Sequence, residues 1–219
     1  MTARSIVIAI DGPAASGKGT LARRLAENFG FAYLDTGALY RATAFLVLEQ
    51  AGDPADPVVA AKAAGLVYLG LLSDPRLRAE AVSAAASIVA AIPSVRRALL
   101  ELQRNFAAHP PKPAKGAILD GRDIGSVVCP AAEVKLFVTA SAEERARRRV
   151  EELRQQGTAA IFEDVLQDLK ERDARDTERR AAPLIAASDA TVIDTTTLDA
   201  DAVFERVSNL TARALAARR

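Results

Sequence analysis

Ile6-Val-Ile-Ala-Ile10 runs straight into Asp11-Gly-Pro-Ala-Ala-Ser-Gly-Lys-Gly-Thr20, and this stretch decides how the rest of the chain is read. A short apolar, β-branched run implies a buried strand. Gly12, four intervening residues and then Gly17-Lys18 is the spacing of a loop that wraps phosphate. The next segment carries Leu21, Leu25 and Phe29 at helical intervals. Strand, glycine-rich turn and helix in that order are the context such a loop requires. Glycines let the backbone approach an anion, and successive N–H groups point inward. The positive end of the helix dipole lies behind them. Gly12, Pro13, Ala14, Ala15, Ser16, Gly17, Lys18, Gly19 and Thr20 are therefore expected to cradle a polyphosphate, with Lys18 as a mobile cation.

Length and composition set bounds on the rest. A chain of 219 residues fits one domain with small insertions and buries a real core. Its net charge of +1 gives no support for a nucleic-acid or acidic-membrane partner. Cys129 is the single cysteine, so no internal disulfide can form and a reducing, cytoplasmic compartment is expected. Its place before Pro130, at the edge of apolar sequence, suits a small buried hydrophobe. The first residues carry no signal-peptide pattern, and no run approaches the ~18 apolar residues of a membrane helix. His109 is the only histidine and sits in a Pro-rich loop, so histidine catalysis and histidine metal clusters are not expected.

Short apolar runs alternate with helical patterns along the chain. Phe31-Ala-Tyr-Leu-Asp35 reads as a second strand, Ala117-Ile-Leu-Asp120 as a third, Val134-Lys-Leu-Phe-Val138 as a fourth and Thr191-Val-Ile-Asp194 as a fifth. Helices are predicted over about 38–50, 143–156 and 162–180, and from about Asp199 onward. Ser141-Ala-Glu-Glu144 has capping-box spacing at the start of one of them. Residues 58–105 read as alanine-rich helix broken by Gly65, Gly70, Pro75 and Pro93, with Leu66-Val-Tyr-Leu69 the only strand candidate. Residues 107–116 form a Pro-rich connector. The expected fold is a three-layer α/β/α phosphate-loop NTPase fold around a five-stranded parallel sheet. Its site should lie at the carboxyl ends of the strands.

Three elements reach that rim: Asp11 to Thr20, Asp35-Thr36, and Asp120 to Asp123. Asp120 ends its strand where a Mg²⁺-associated carboxylate of a phosphate-loop protein belongs. The hydroxyl that usually follows the loop lysine is absent. Gly19 stands there, which leaves Thr20 as the hydroxyl for metal duty. Arg145, Arg147, Arg148, Arg149, Arg154, Arg172, Arg175, Arg179 and Arg180 crowd the region after the fourth strand. About half are accounted for by i,i+3 and i,i+4 pairing with Glu143, Glu144, Glu151, Glu152 and Glu171. The others suit a transferring phosphoryl group, because planar guanidinium groups stabilise its spread charge. A hydroxyl acceptor needs a general base, whereas a phosphate monoester with a second pKa near ~6 is already ionised. Abundant arginine without an obvious base favours the phosphate acceptor.

Five motifs taken together carry a family resemblance. They are residues 12–20, Leu-Asp-Thr-Gly-Ala-Leu-Tyr-Arg at 34–41, Asp-Gly-Arg-Asp-Ile-Gly at 120–125, Ala-Ser-Ala-Glu-Glu-Arg-Ala-Arg-Arg-Arg at 140–149 and Glu-Arg-Asp-Ala-Arg-Asp at 171–176. In this order they closely resemble the bacterial cytidylate kinases, nucleoside monophosphate kinases with a Gly-Lys-Gly-Thr loop. The resemblance implies that ATP and Mg²⁺ convert CMP or dCMP to CDP or dCDP, in a cytoplasmic monomer. It implies a nucleoside-monophosphate-binding insertion at about 37–106 and a lid at about 147–165, within a single domain spanning 1–219. It assigns Thr36, Arg41, Arg122 and Arg179 to the acceptor phosphate, and Ser87, Arg96 and Asp123 to the base. Arg172 and Asp176 fall to the sugar, and Arg145, Arg148 and Arg149 to the transferring phosphate. Lys18, Arg122, Arg145, Arg149 and Arg179 form the expected catalytic set. The chain departs from the long bacterial form, whose insertion carries a small antiparallel sheet. Residues 64–76 are too short for the strand pairs, so the insertion should be mostly helical.

Three other readings remain open on the sequence. One is a kinase of the UMP/CMP type. A second is a shikimate-like kinase with a hydroxyl acceptor, for which Asp35-Thr36-Gly37 lacks the second acid. The third is a nucleotide-switch module, for which Asn28, Asn105 and Asn209 offer no Asn-Lys pair to read guanine.

Overall fold

The computed structural model describes residues 5–155 and 157–216. Five parallel strands lie in the order β2-β3-β1-β4-β5, with β1 spanning Ile6–Asp11, β2 Ala32–Asp35, β3 Gly116–Gly121, β4 Val134–Thr139 and β5 Thr191–Asp194. All five strands read from the sequence are present. Every neighbouring pair is parallel, so helical crossovers must cover both faces of the sheet. The helices between strands are α1 (Lys18–Phe29), α2 (Thr36–Glu49), α3 (Pro57–Ala64), α4 (Glu80–Val89), α5 (Pro93–Ala108), α6 (Ala142–Gln155) and α7 (Phe162–Glu178), and α8 (Ala200–Ala216) follows β5.

Period-2 alternation sorts the strand residues into two cores. Ile8 and Ile10 of β1 pack with Ile118, Leu136 and Ile193 against Leu21 and Leu25 of α1 and Val203 and Val207 of α8. Val7 and Ala9 face the other way, with Ala117 and Leu119, against Leu39, Val47, Val89, Val95 and Leu99 of the helical block α2–α5. From Val7 to Asp11, β1 is buried on both sides, as its unbroken apolar run required. A third, small cluster of Ala14, Ala146 and Leu169 joins the loop after β1 to α6 and α7.

Local chemistry fixes the helix starts. Asp35 caps α2 by accepting the Ala38 N–H at 3.1 Å, and Asp56 caps α3 through Val58 and Val59. Ser141 accepts the Glu144 N–H at 3.2 Å, as the capping-box spacing foresaw. The candidate strand at 66–69 is corrected. Its end opens a 3₁₀ turn over Leu69–Ser73, and no described strand lies beside it. Gly65 and Gly70 interrupt the stretch, and Leu66, Tyr68 and Leu69 are exposed, so no buried pleated face exists to hold it. The segment between β2 and β3 is thus wholly helical and irregular. Among the described residues, no single helix is long and apolar enough to cross a membrane.

The backbone approaches itself most closely at Gly12. A Cβ there would stand 2.0 Å from the Val138 carbonyl oxygen, on a positive φ of 152°. Gly12→Ala should therefore force the loop off β4. We expect a thermal midpoint lowered by several degrees and loss of ATP binding, measured by differential scanning fluorimetry with and without nucleotide.

Candidate active site

Three strand ends meet at one rim of the sheet. β1 delivers Asp11 and the loop, β2 ends on Asp35 and β3 on Asp120-Gly121, with Asp35 and Asp120 opposite each other in register. α1 begins at Lys18 from a left-handed Gly17, and no side chain caps it. Its first N–H groups are therefore left for a ligand, which is the usual form of an anion cradle. Lys18 folds back to donate Nζ to the Pro13 carbonyl at 3.1 Å. Burial, and then the Arg122 charge, lower its pKa to about 7.

The loop separates two cavities. The first, about 210 Å³, is lined by seven cationic side chains, Lys18, Arg23, Arg41, Arg96, Arg122, Arg172 and Arg179, against four carboxylates, Asp35, Asp120, Asp123 and Asp176. All four carboxylates are engaged. Arg41 pairs with Asp35 at 2.6 Å, Arg122 with Asp176 at 2.9 Å and Arg96 with Asp123. Arg179 lies 3.5 Å from Asp176 and 3.9 Å from Asp123. Asp120 accepts the Tyr33 hydroxyl at 3.2 Å. Even so, Arg41 Nε, Arg172 Nε and Arg179 Nη2 are buried without a hydrogen-bond partner. Each orphaned donor costs about 1–3 kcal/mol, so the cavity is built for an anionic guest that supplies the missing acceptors.

The pKa directions agree with that. Burial, then the Arg122 charge, lower Arg172 to about 10. Burial and then Arg96 lower Arg179. Burial works to raise Asp176 and Asp35, but Arg122 and Arg172 outweigh it at the first and Arg41 at the second, so both lie below the ordinary range. Asp120 goes the other way: burial and the nearby Asp35 push it up to about 6.

The cavity gathers Thr36, Arg41, Ser87, Arg96, Arg122, Asp123, Arg172, Asp176 and Arg179, residues from α2, α4, α5, α7 and the segment after β3. The Thr36 hydroxyl donates to the Asp120 carbonyl at 2.7 Å, tying the ends of β2 and β3 together. Ser87 accepts from Arg175 Nε at 3.2 Å, a bond between α4 and α7. Tyr33 and Arg23 also line it, and the sequence reading had placed neither. Their adjacent positions at 18–23 and 33–36 were the available signal.

The second cavity, about 320 Å³, lies on the other side of the loop. Ser16, Gly17 and Thr20 line it with Leu21, Arg148, Thr195, Leu198 and Val203. Arg148 donates to the Thr195 hydroxyl at 3.0 Å and to its carbonyl at 2.6 Å. The Thr195 hydroxyl lies 3.2 Å from the Ser16 carbonyl of the loop. Thr195 was missed in the sequence, although it follows the last strand at the rim where sites concentrate.

The structure does not bring every expected residue to the first cavity. Thr20 faces the second cavity, away from Asp120; Gly19 is the residue beside that carboxylate, with its Cβ position 3.3 Å from Oδ2. Arg145 is buried in a two-pronged pair with Asp173, at 2.6 and 3.2 Å, and donates to the carbonyls of Ala140 and Ala14. It fastens α6 and α7 to the loop. Arg149 is half-buried and pairs with Glu152 at 2.8 Å one turn along α6, near enough to Arg172 for its charge to help lower that pKa. Among the described residues no group of three or more His, Cys, Asp and Glu could hold a metal by itself.

A family model described as cytidylate kinase matches residues 8–213. The chain belongs to the cytidylate kinase family. Relatives named cytidylate kinase include one from Paramagnetospirillum magneticum, 58% identical over 91% of this chain and 94% of its own, and one from Rhodospirillum rubrum, 57% identical over 90% and 92%. One from Methylobacterium is 59% identical over 84% and 86%. A solved structure of an uncharacterized protein from Eubacterium ventriosum has a TM-score of 0.53 at 14% identity, covering 94% of this chain and 98% of that one, which shows a shared fold.

For this member of the cytidylate kinase family, Asp120 sets a trade between stability and site chemistry. A carboxyl with a folded-state pKa of about 6, against an ordinary 3.8, holds its proton more tightly folded than unfolded. Its contribution favours the fold below pH 4 and is lost as pH rises to 6. Asp120→Asn should thus gain stability at pH 7, on the order of 1–3 kcal/mol, while losing phosphoryl transfer. Nucleotide-free thermal melts at pH 4.5 and 7 check this. A variant less stable than the parent at pH 7 would contradict it.

Proposed function

We propose that the chain transfers the γ-phosphoryl group of ATP to CMP or dCMP, yielding ADP and CDP or dCDP. The observation that carries this is the set of buried, unpartnered guanidinium N–H groups on Arg41, Arg172 and Arg179 in a cavity opposite Lys18. The carboxylates of that cavity are tied to arginines, or in Asp120 to Tyr33. None is left as a free general base for a hydroxyl. A phosphate monoester needs no base, since it is already ionised at neutral pH.

The roles follow from position. The loop amides and Lys18 hold the donor phosphates, and the second cavity takes the donor nucleoside against Arg148, Thr195 and the apolar floor of Leu198 and Val203. Arg41, Arg122 and Arg179 hold the acceptor phosphate, with Arg122 near enough to Lys18 of the loop to neutralise charge as it spreads. Thr36 sets the floor between them. Arg172 and Asp176 meet the sugar. Ser87, Arg96 and Asp123 meet the base. A carboxylate such as Asp123 accepts the exocyclic amine of cytosine and repels the oxygen that uracil presents there. Catalysis then consists of alignment and charge neutralisation, without a covalent intermediate.

Mg²⁺ fits this donor set: Asp120 offers Oδ2 toward Gly19 while Tyr33 holds Oδ1, and one carboxylate is what Mg²⁺ takes from a protein when phosphates and waters supply the rest. When bound it would supply positive charge against the donor phosphates. The acceptor-binding insertion is α2 to α5, about 37–106. The lid is about 147–165, of which position 156 lies outside the described residues. Arg145 and Arg149 would reach the transferring group only by leaving Asp173 and Glu152 when that lid shuts. We take the enzyme to be a cytoplasmic monomer, in keeping with the single cysteine, Cys129, which allows no internal disulfide and whose thiol burial pushes up to about 11.

A coupled ADP-release assay with CMP, dCMP, UMP and AMP should rank CMP and dCMP above the others in kcat/KM. No turnover with CMP above the ATP-only blank would end the proposal. Donor binding has a proton signature too. Lys18 has a pKa of about 7 in the free site, and incoming phosphates must raise it. At pH 8 ATP binding should take up close to one proton, roughly, seen by titration calorimetry in buffers of different ionisation enthalpy. Equal heats in all buffers would remove Lys18 from the donor site.

A further inference from the structure

Asp123 occupies a position where an aspartate ordinarily serves its own backbone. It stands at the N-cap of a tight turn, Ile124–Val128, closed by bonds from the Val127 and Val128 N–H groups to the Asp123 carbonyl. An N-cap Asp usually turns its carboxylate inward and accepts an N–H of the first turn. Asp123 makes no such bond. Its carboxylate points the other way, into the acceptor cavity, and pairs with Arg96.

The vacated duty is performed from another strand. Asp11, the last residue of β1, accepts the Ile124 N–H on Oδ1 at 2.7 Å and the Gly125 N–H on Oδ2 at 2.8 Å. It is 4% exposed, and Asp123 is 5% exposed. Both bonds are buried, so their loss would leave N–H groups that must find another acceptor. The Asp123 carboxylate is next in the chain to those N–H groups, on the residue at the N-cap position. Asp11 also precedes Gly12, the first glycine of the phosphate loop, so one residue joins the donor grip to the segment that reads the base.

We propose that Asp11 is a specificity-positioning residue: by capping the 124–128 turn in place of Asp123, it keeps the Asp123 carboxylate in the pocket and available to the cytosine amine. This rests on the reading of the site as a CMP kinase. Asp11 is not among the residues lining either cavity, and it acts through Asp123. Two carboxylates are required because one cannot cap the turn and face the cavity together.

The test is a double-mutant cycle of Asp11→Asn and Asp123→Asn, with kcat and KM measured separately for ATP, CMP and UMP. Asp11→Asn keeps the size and one acceptor but turns an NH₂ toward the other backbone N–H. It should lower kcat/KM for CMP roughly 10- to 100-fold and shrink the CMP-over-UMP ratio, with KM for ATP within about twofold of the parent. In the Asp123→Asn background the same change should have little further effect on that ratio. Losses that multiply independently, or a raised KM for ATP with the CMP preference intact, would show that Asp11 supports only the phosphate loop and would overturn the proposal. If Asp11→Asn does not fold, Asp11→Glu gives the same comparison, keeping the charge and moving the oxygens by one methylene. Parent enzyme without CMP turnover would instead refute the underlying reading, so the two failures are distinct.

Discussion

Buried positive charge in excess of its partners is the constraint on which the rest of this molecule depends. Seven cations share one cavity with four carboxylates. Burial lowers the pKa of Lys18, Arg172 and Arg179, which means that their charged forms are held at a cost. No fold would retain that arrangement for stability alone. It persists because the two cores beneath it supply the needed free energy. Site and scaffold therefore pull in opposite directions, and the sheet has to be rigid enough to win.

The sheet wins by being covered on both faces. β1 lies at its centre, between β3 and β4, and its side chains alternate between the α1/α8 layer and the α2–α5 layer. Every loop of the site grows from the carboxyl end of a strand fixed in this way. That is why chemistry from five separate segments converges within hydrogen-bond distance. Side-chain-to-backbone bonds finish the job: Thr36 to the Asp120 carbonyl, Arg145 to the Ala14 carbonyl and Thr195 beside the Ser16 carbonyl each pin one strand's loop to another's.

The arginines divide into three kinds. Arg147, Arg148 and Arg149 satisfy glutamates within α6. Arg145 is internal structure, sealed against Asp173. Arg23, Arg41, Arg96, Arg122, Arg172 and Arg179 line the first cavity. Arg148 belongs to the first kind and also reaches Thr195 at the second cavity, so one side chain serves a helix face and a site at once. Residue type does not separate these kinds; the packing of α6 against α7 does.

Sequence by itself determined the α/β class, the five strands, the phosphate loop and the acids at three strand ends. These follow from local patterns: apolar runs of strand length, helical spacing after them, and glycines where backbone must approach an anion. The motifs at 34–41, 120–125 and 171–176 supplied many of the residues that line the first cavity, because each is a short run tied to one strand or helix end. Tertiary structure decided what depends on distance across the chain. It sent Thr20 to the far cavity, buried Arg145 against Asp173 and brought Tyr33 to Asp120, Thr195 to the loop and Asp11 to the Ile124 and Gly125 amides. It also made 66–69 a turn rather than a strand, since no neighbouring edge was there to pair with it. A residue's neighbours in sequence fix its backbone, but which charge a buried side chain meets is settled only when layers distant in the chain close over it.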